Sequence, residues 1–172
     1  LLETELFKKR LKNPIGLAAG FDKSAEVYNA LFKLGFGFVE VGTITPKRQA
    51  GNLKPRIFRL EKDKAMINRL GFNNDGMDAV SERLSKCPPE DFFGINVGPN
   101  RDTKDKISDF IKCFDKLNKF ASYITVNISS PNTEGLRDFH EEKLLSELLA
   151  KLNKLKKNKK IQCPIVIKIS PD

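Results

Sequence analysis

Tryptophan is missing from this 172-residue sequence, histidine appears once, as His140, and cysteine three times. One histidine cannot supply a histidine-based metal cluster, and Cys87, Cys113 and Cys163 lie too far apart for a zinc grouping. Their odd number also argues against a disulfide framework, so they are expected to be reduced and mostly buried. No run approaches the roughly 20 apolar residues of a membrane-crossing helix. Residues 1–10 carry no apolar stretch of the kind a secretory signal needs. His-Glu-x-x-His, a P-loop, a Cys–His pair and Gly-x-Gly-x-x-Gly are all wanting. Their absence removes the usual metallopeptidase, nucleotide-hydrolase, thiol-hydrolase and Rossmann readings. His140 reads as an exposed helix residue without a role.

What is present is positive charge and phenylalanine. Thirty-one Lys+Arg against 22 Asp+Glu give a formal +9, and 13 Phe with 40% hydrophobic residues point to a packed domain rather than disorder. The length suits one domain. Much of the excess charge sits at Lys151, Lys154, Lys156, Lys157, Lys159 and Lys160, at the end of a leucine-striped helix. Lysines there complement the negative end of the helix dipole and keep the surface solvated. No aromatics interleave with them as base-stacking platforms would require, so nucleic acid is not an expected partner. A basic interaction module on a scaffold is the alternative from outside enzymology.

The hydrophobic periodicity alternates between two kinds of element. Residues 17–20 read as a short strand closing on Gly20, and Ser24 can cap a helix carrying Val27, Leu31 and Leu34. Gly35 ends that helix, and residues 36–42 read as a second buried strand. Residues 74–76 start a helix with Met77, Val80 and Leu84 on one face, stopped before Pro88-Pro89. Strands are predicted at 92–97, 123–128 and 164–169, and helices through Ile107–Leu117 and Leu144–Leu155. The strands look apolar enough to be covered on both faces. This β-α-β-α-β-α-β-α-β order predicts a parallel sheet with right-handed crossovers.

Two architectures fit that order, an open doubly wound sheet or a (β/α)₈ barrel cut after its fifth strand. Nearly every predicted strand ends in glycine or polar side chains: Gly20-Phe21-Asp22-Lys23, Gly42-Thr43, Asn96, Asn127 with Ser129-Ser130, and Lys168 with Ser170. A barrel gathers its site from several strand ends, whereas a Rossmann sheet concentrates it at one glycine-rich turn, so the barrel is favoured. The stretch 42–73 far exceeds the usual βα loop of roughly 2–6 residues and reads as a binding wall or lid. Amides offer donors and acceptors together, which suits the edge of a planar heterocycle. Lysines at strand ends suit an anion. From the residues alone, the ligand is small, anionic and heterocyclic.

Several blocks go further. Asn13-Pro14-Ile15-Gly16-Leu17-Ala18-Ala19-Gly20-Phe21-Asp22-Lys23 resembles the opening strand of the dihydroorotate dehydrogenases. Residues 40–46 (EVGTITP), 54–59 (KPRIFR), 67–74 (INRLGFNN), 94–98 (GINVG), 126–133 (VNISSPNT) and 166–169 (VIKI) match the same family in order and spacing. Ser130 stands where class 1 members carry cysteine, so the resemblance is to the class 2, quinone-reducing, membrane-associated enzymes. A class 1-type pyrimidine oxidoreductase is the alternative within enzymes.

The resemblance implies oxidation of dihydroorotate to orotate in pyrimidine synthesis, with FMN as cofactor and ubiquinone or menaquinone as acceptor. Ser130 would be the base, helped by Thr133. Lys23, Asn68, Arg69, Leu70, Gly71, Phe72, Asn127 and Asn132 would surround the substrate. Ala19, Gly20, Phe21, Asp22, Lys23, Thr43, Asn96, Asn127 and Lys168 would line FMN, with Lys168 facing the charge on the reduced ring. Arg59 matches a position lining the quinone tunnel. Pro99 departs from the lysine the family often carries there. The family further implies a monomer held peripherally on a membrane through N-terminal helices. That membrane would be the bacterial inner membrane at its cytoplasmic face, or the mitochondrial inner membrane. Residues 1–172 are expected to be one FMN-binding barrel domain, incomplete at both ends and inactive alone.

Overall fold

The computed structural model describes residues 2–171. The chain opens with a hairpin, β1 (Thr4–Leu6) and β2 (Lys9–Leu11), paired from Thr4↔Leu11 to Leu6↔Lys9. Phe7 and Lys8 close it at φ 49° and 63°. This is the doubly left-handed loop that matches strand twist, here built without the asparagine or glycine that usually marks it. Next come β3 (Gly16–Leu17), α1 (Tyr28–Lys33) and β4 (Phe38–Ile44). A second hairpin, β5 (Ile57–Leu60) and β6 (Ala65–Asn68), fills the long excursion. Then follow α2 (Met77–Lys86), β7 (Phe93–Val97), α3 (Lys106–Leu117), β8 (Tyr123–Asn127), α4 (Glu142–Lys159) and β9 (Ile165–Lys168).

β3, β4, β7, β8 and β9 form one parallel sheet in that spatial order. Neighbours in the sheet are neighbours in the chain, joined mostly through helices, which is the arc of a (β/α)₈ barrel rather than a doubly wound sheet, whose order reverses midway. The strands are not apolar on both sides, as the sequence reading expects. On one face, Val39, Val41, Ile95, Val97, Ile124 and Val126 are sealed under α2, α3 and α4, packed with Leu84, Phe110, Phe114, Leu117, Leu148 and Leu152. The alternate positions turn inward and are polar or aromatic: Glu40, Asn96, Tyr123, Thr125, Asn127 and Lys168. Period-two alternation within each strand separates a helix-covered face from a barrel lumen. Glycine makes room on the inner face: a Cβ at Gly94 would sit 2.3 Å from the Tyr123 ring. The first hairpin closes the strands' N-terminal end, where Leu11 packs with Phe92 and Tyr123.

Three further expectations change. α1 starts at Tyr28, and Ser24 does not cap it; the Asp22 carboxylate instead accepts the Glu26 and Val27 amides. Among the cysteines only Cys113 is buried, Cys163 is half-buried and Cys87 is exposed; none is in a disulfide. The lysines ending α4 are partly engaged: Lys159 pairs with Asp115 at 2.7 Å, Lys151 with Glu147 at 2.7 Å, and Lys156 donates to the Cys163 carbonyl at 2.7 Å.

Candidate functional site

The C-terminal ends of the strands are drawn together by backbone bonds. The Gly20 amide donates to the Gly42 carbonyl at 2.9 Å, and the Gly42 amide donates to the Asp22 carbonyl at 2.9 Å. Asp22, 3% exposed, anchors the start of α1 with its carboxylate. The loop after β3 therefore lies flat across the end of β4, with Lys23 over the lumen. Gly42 is required there: its φ is 109°, and a Cβ would come within 2.4 Å of the Asn96 carbonyl.

The second hairpin forms the facing wall. Its base is clamped by buried Asn74, whose Oδ1 accepts from the Thr45 and Gly76 amides while Nδ2 donates to Thr45 Oγ1 and the Phe72 carbonyl. Arg56 donates to the carbonyls of Ala50 and Asn52. Arg69 grips the Pro55 carbonyl through Nε and an Nη at 3.1 and 2.9 Å, with its guanidinium over the Phe58 ring. Between these clamps Gly71 and Phe72 take φ of 71° and 52°, and a left-handed bulky residue is uncommon enough to mark a constrained place. On the other side Asn132 Nδ2 donates to the Asn68 carbonyl at 3.4 Å, linking the loop after β8 to β6.

These walls enclose a cavity of about 400 Å³. From the sequence-predicted set it collects Ala19, Gly20, Lys23, Thr43, Asn68, Leu70, Gly71, Phe72, Asn127, Ser130, Asn132 and Lys168. Met66, Ser129 and Pro131 also line it and were not expected. Its charged lining residues are the two lysines. Burial, with Arg56 nearby, holds the Lys23 ammonium below its ordinary range. Lys168 is exposed at its register partner Asn127, not enclosed between apolar neighbours as its flanks suggest. Two cations beside amides and hydroxyls form a receptor for an anion with hydrogen-bonding edges. Ser130 Oγ accepts from the Asn132 amide at 3.3 Å, so it shapes the turn as well as facing the cavity.

Other predicted residues stand apart from the lining. Phe21 is 68% exposed, and Asp22 serves α1. Arg69 braces the hairpin base. Thr133 is buried behind the loop. Asn96, fully buried, supports the floor: Oδ1 accepts from Thr43 Oγ1 at 2.7 Å and from Asn127 Nδ2 at 3.1 Å. Beneath it lies Glu40, to which the sequence assigned no role, whose carboxylate accepts from Asn96, Tyr123 and Thr125. A lone acid between two buried valines was the available signal. Burial, followed by the Glu40 charge, pushes the Tyr123 phenol far up.

A more apolar groove of about 900 Å³ adjoins the cavity, sharing Gly20, Lys23, Met66 and Leu70 and extending along Pro55 and Ile57. Arg59 pairs with Met66 across the hairpin, so it lies on the strand face that carries Ile57 and Met66. Ile57, Phe58, Met66 and Ile67 are all exposed. Among the described residues, no helix is long and apolar enough to cross a membrane, and no group of three potential metal ligands occurs.

A family profile described as Dihydroorotate dehydrogenase matches residues 1–172. The sequence is 49% identical over 175 residues to the dihydroorotate dehydrogenase (quinone) of Bradyrhizobium diazoefficiens, covering 99% of this chain and 48% of that protein. It is 52% identical over 167 residues to the same-named protein of Bartonella tribocorum, covering 95% and 46% respectively. The fold superposes on the ligand-free DHODH crystal structure from Eimeria tenella with TM-score 0.90 at 40% identity, over 99% of this chain and 54% of that one. The ferulenol complex of the same enzyme gives TM-score 0.86, over 99% and 52%. The chain spans about half the length of the curated relatives it matches.

Proposed function

The chain belongs to the dihydroorotate dehydrogenase family, and from that premise we propose that it carries the substrate-facing part of an FMN enzyme that oxidises dihydroorotate to orotate and reduces a quinone. The observation that carries the reading is the cavity itself, where Lys23, Asn68, Asn127, Asn132 and Ser130 converge from separate loops and strands. Orotate is a planar carboxylate with alternating N–H and C=O edges, which is the chemistry these groups address.

The residues present fit FMN. Ala19, Gly20, Thr43, Asn127 and Lys168 lie together at the strand ends, and at Gly20 nothing lies within 4 Å of where a Cβ would point. A bare backbone beside amides and a lysine can approach a flat, electron-accepting ring closely. FMN, when bound, supplies the two-electron acceptor for the hydride that leaves C6 of dihydroorotate. Lys23 binds the substrate carboxylate, and Asn68, Asn127 and Asn132 fix the ring's rotation, the orientation effect that hydride transfer needs. Ser130 Oγ takes the C5 proton on a lone pair while its own hydroxyl proton leaves to a water, and the Asn132 amide, donating to Oγ, stabilises the charge that develops there. Thr133, buried and outside the cavity lining, assists Ser130 through a water. The apolar groove with Arg59 at its hairpin is the approach for the quinone, which suits peripheral placement on a membrane; we propose the same location and a monomer for the whole protein.

Anaerobic mixing of the full-length protein with dihydroorotate tests this. The yellow flavin spectrum should bleach, and recover with a quinone but not with fumarate. Ser130→Ala should slow the bleach by about 10²- to 10⁴-fold, the usual contribution of a positioned base. An FMN-loaded protein that ignores dihydroorotate would overturn the reading.

A further inference from the structure

We propose that Glu40 is a positioning residue: from one layer below the cavity it fixes, through Asn96, which way the amide of Asn127 faces. Glu40 is not part of the cavity lining. Its Oε1 accepts from Asn96 Nδ2 at 2.8 Å, and its Oε2 accepts from Tyr123 Oη at 3.0 Å and Thr125 Oγ1 at 2.9 Å. A carboxylate only accepts, so Asn96 must turn its NH₂ downward and its oxygen upward. That oxygen takes the Thr43 hydroxyl proton at 2.7 Å and an Asn127 Nδ2 proton at 3.1 Å. Asn127 Nδ2 also donates to Thr43 Oγ1 at 3.1 Å.

Asn127 is thereby held with its nitrogen toward the floor and its oxygen toward Ser129, whose amide and hydroxyl donate to it at 3.1 and 2.9 Å. Thr43, having given its proton to Asn96, can only accept from whatever occupies the cavity. The Glu40 carboxylate, which only accepts, and the Ser129 N–H, which only donates, thus set a single polarity along Glu40–Asn96–Asn127–Ser129, with Glu40 fixing it at the Asn96 end. Flipping either amide would set oxygen against oxygen in a buried place, which costs far more than losing one exposed bond. The register makes this possible, because Glu40 stands beside Gly94, which has no side chain to block its reach toward Tyr123 and Asn96. The relay is a property of the fold; only its effect on orotate rests on the functional reading above.

Two readouts separate the two claims. The first is hydrogen exchange of the Asn127 side-chain amide by NMR in the full-length holoprotein. Glu40→Leu and Glu40→Met, which remove the acceptor, should speed it about tenfold or more. Glu40→Gln should stay within about twofold, because its oxygen still accepts from Asn96 while the Tyr123 and Thr125 hydroxyls rotate to accept from its nitrogen. The second is orotate titration of the flavin spectrum. The apolar variants should weaken orotate about tenfold, Gln should restore it, and Asn127→Ala should add little in the Glu40→Leu background. Unchanged exchange in both apolar variants, or a Gln variant that behaves like them, would overturn the proposal. So would apolar variants that fail to fold while Gln folds, since Glu40 would then be a stability residue. If exchange follows the expected pattern but the wild-type flavin ignores orotate, the positioning role stands and the substrate reading falls.

Discussion

Lys23 shows how one side chain reports on the whole cavity. It is half-buried, lines the cavity and the adjoining groove, and its ammonium is held below the usual 10.5 first by desolvation and then by Arg56. The charged form is disfavoured in the empty site, so a carboxylate ligand that restores its partner binds with the proton. The affinity for orotate should therefore be level at neutral pH and decline as pH rises towards 10.5, starting earlier than for an ordinary lysine. The stability effect has the opposite sense. Between the lowered folded value and 10.5 the folded state binds fewer protons than the unfolded one, so Lys23 destabilises less as pH rises. Lys23→Met should weaken orotate by about 10- to 100-fold, the worth of a charge-assisted hydrogen bond, and flatten the pH profile. An affinity titration across alkaline pH checks both; a profile identical in wild type and variant would remove Lys23 from the carboxylate.

At the scale of elements, the wall of the site depends on a clamp that is not itself in the cavity. Asn74 ties the strap after β4 to the start of α2 with four hydrogen bonds, and it is 6% exposed. Asn74→Ala strands the Thr45 and Gly76 amides and frees the Phe72 carbonyl, which should cost about 2–4 kcal/mol in denaturant unfolding. It should also raise hydrogen exchange across 70–76 more than across β7 and β8. Equal rises everywhere would mean the strap is not a separate unit. The strap also shows what was legible. The parallel strands and α2, α3 and α4 follow from apolar periodicity, because each buries a stripe against the others. The two hairpins escaped because β1–β2 turns at Phe7-Lys8 without the usual asparagine or glycine, and because β5–β6 exposes its apolar residues. The start of α1 was misplaced because Ser24 Oγ accepts from the Asp75 amide across the chain, while Asp22 holds the Glu26 and Val27 amides in the turn that precedes Tyr28.

For the whole molecule, the candidate cavity was largely legible and its foundation was not. Residues such as Asn127 and Ser130 stand next to strand ends, where a barrel puts its chemistry, whereas Glu40 acts through register partners two strands away, which no local pattern reveals. That buried foundation has a global consequence at high pH. Burial pushes the Cys113 thiol well above the ordinary 9.0 and Cys163 up to about 11. It pushes Tyr28 up to about 12, with help from the Cys87 side chain, and raises Tyr123 further. In each case the folded state keeps a proton that the unfolded state would release, so the stability is fully present below the unfolded value and is lost as pH climbs through the folded one. Lys23 works the other way, but it is half-buried and partly screened, whereas Cys113 is fully buried and Tyr123 is 4% exposed. Stability should therefore fall from about pH 9 upward, and Tyr28 and Tyr123 should give tyrosinate absorbance only as the fold opens. Difference titrations against Tyr28→Phe and Tyr123→Phe, followed alongside circular dichroism, test the link. Tyrosinate appearing from Tyr123 near pH 10 with the fold intact would show that the lumen beneath the cavity is wet, and the fixed amide polarity above Glu40 would lose its physical basis.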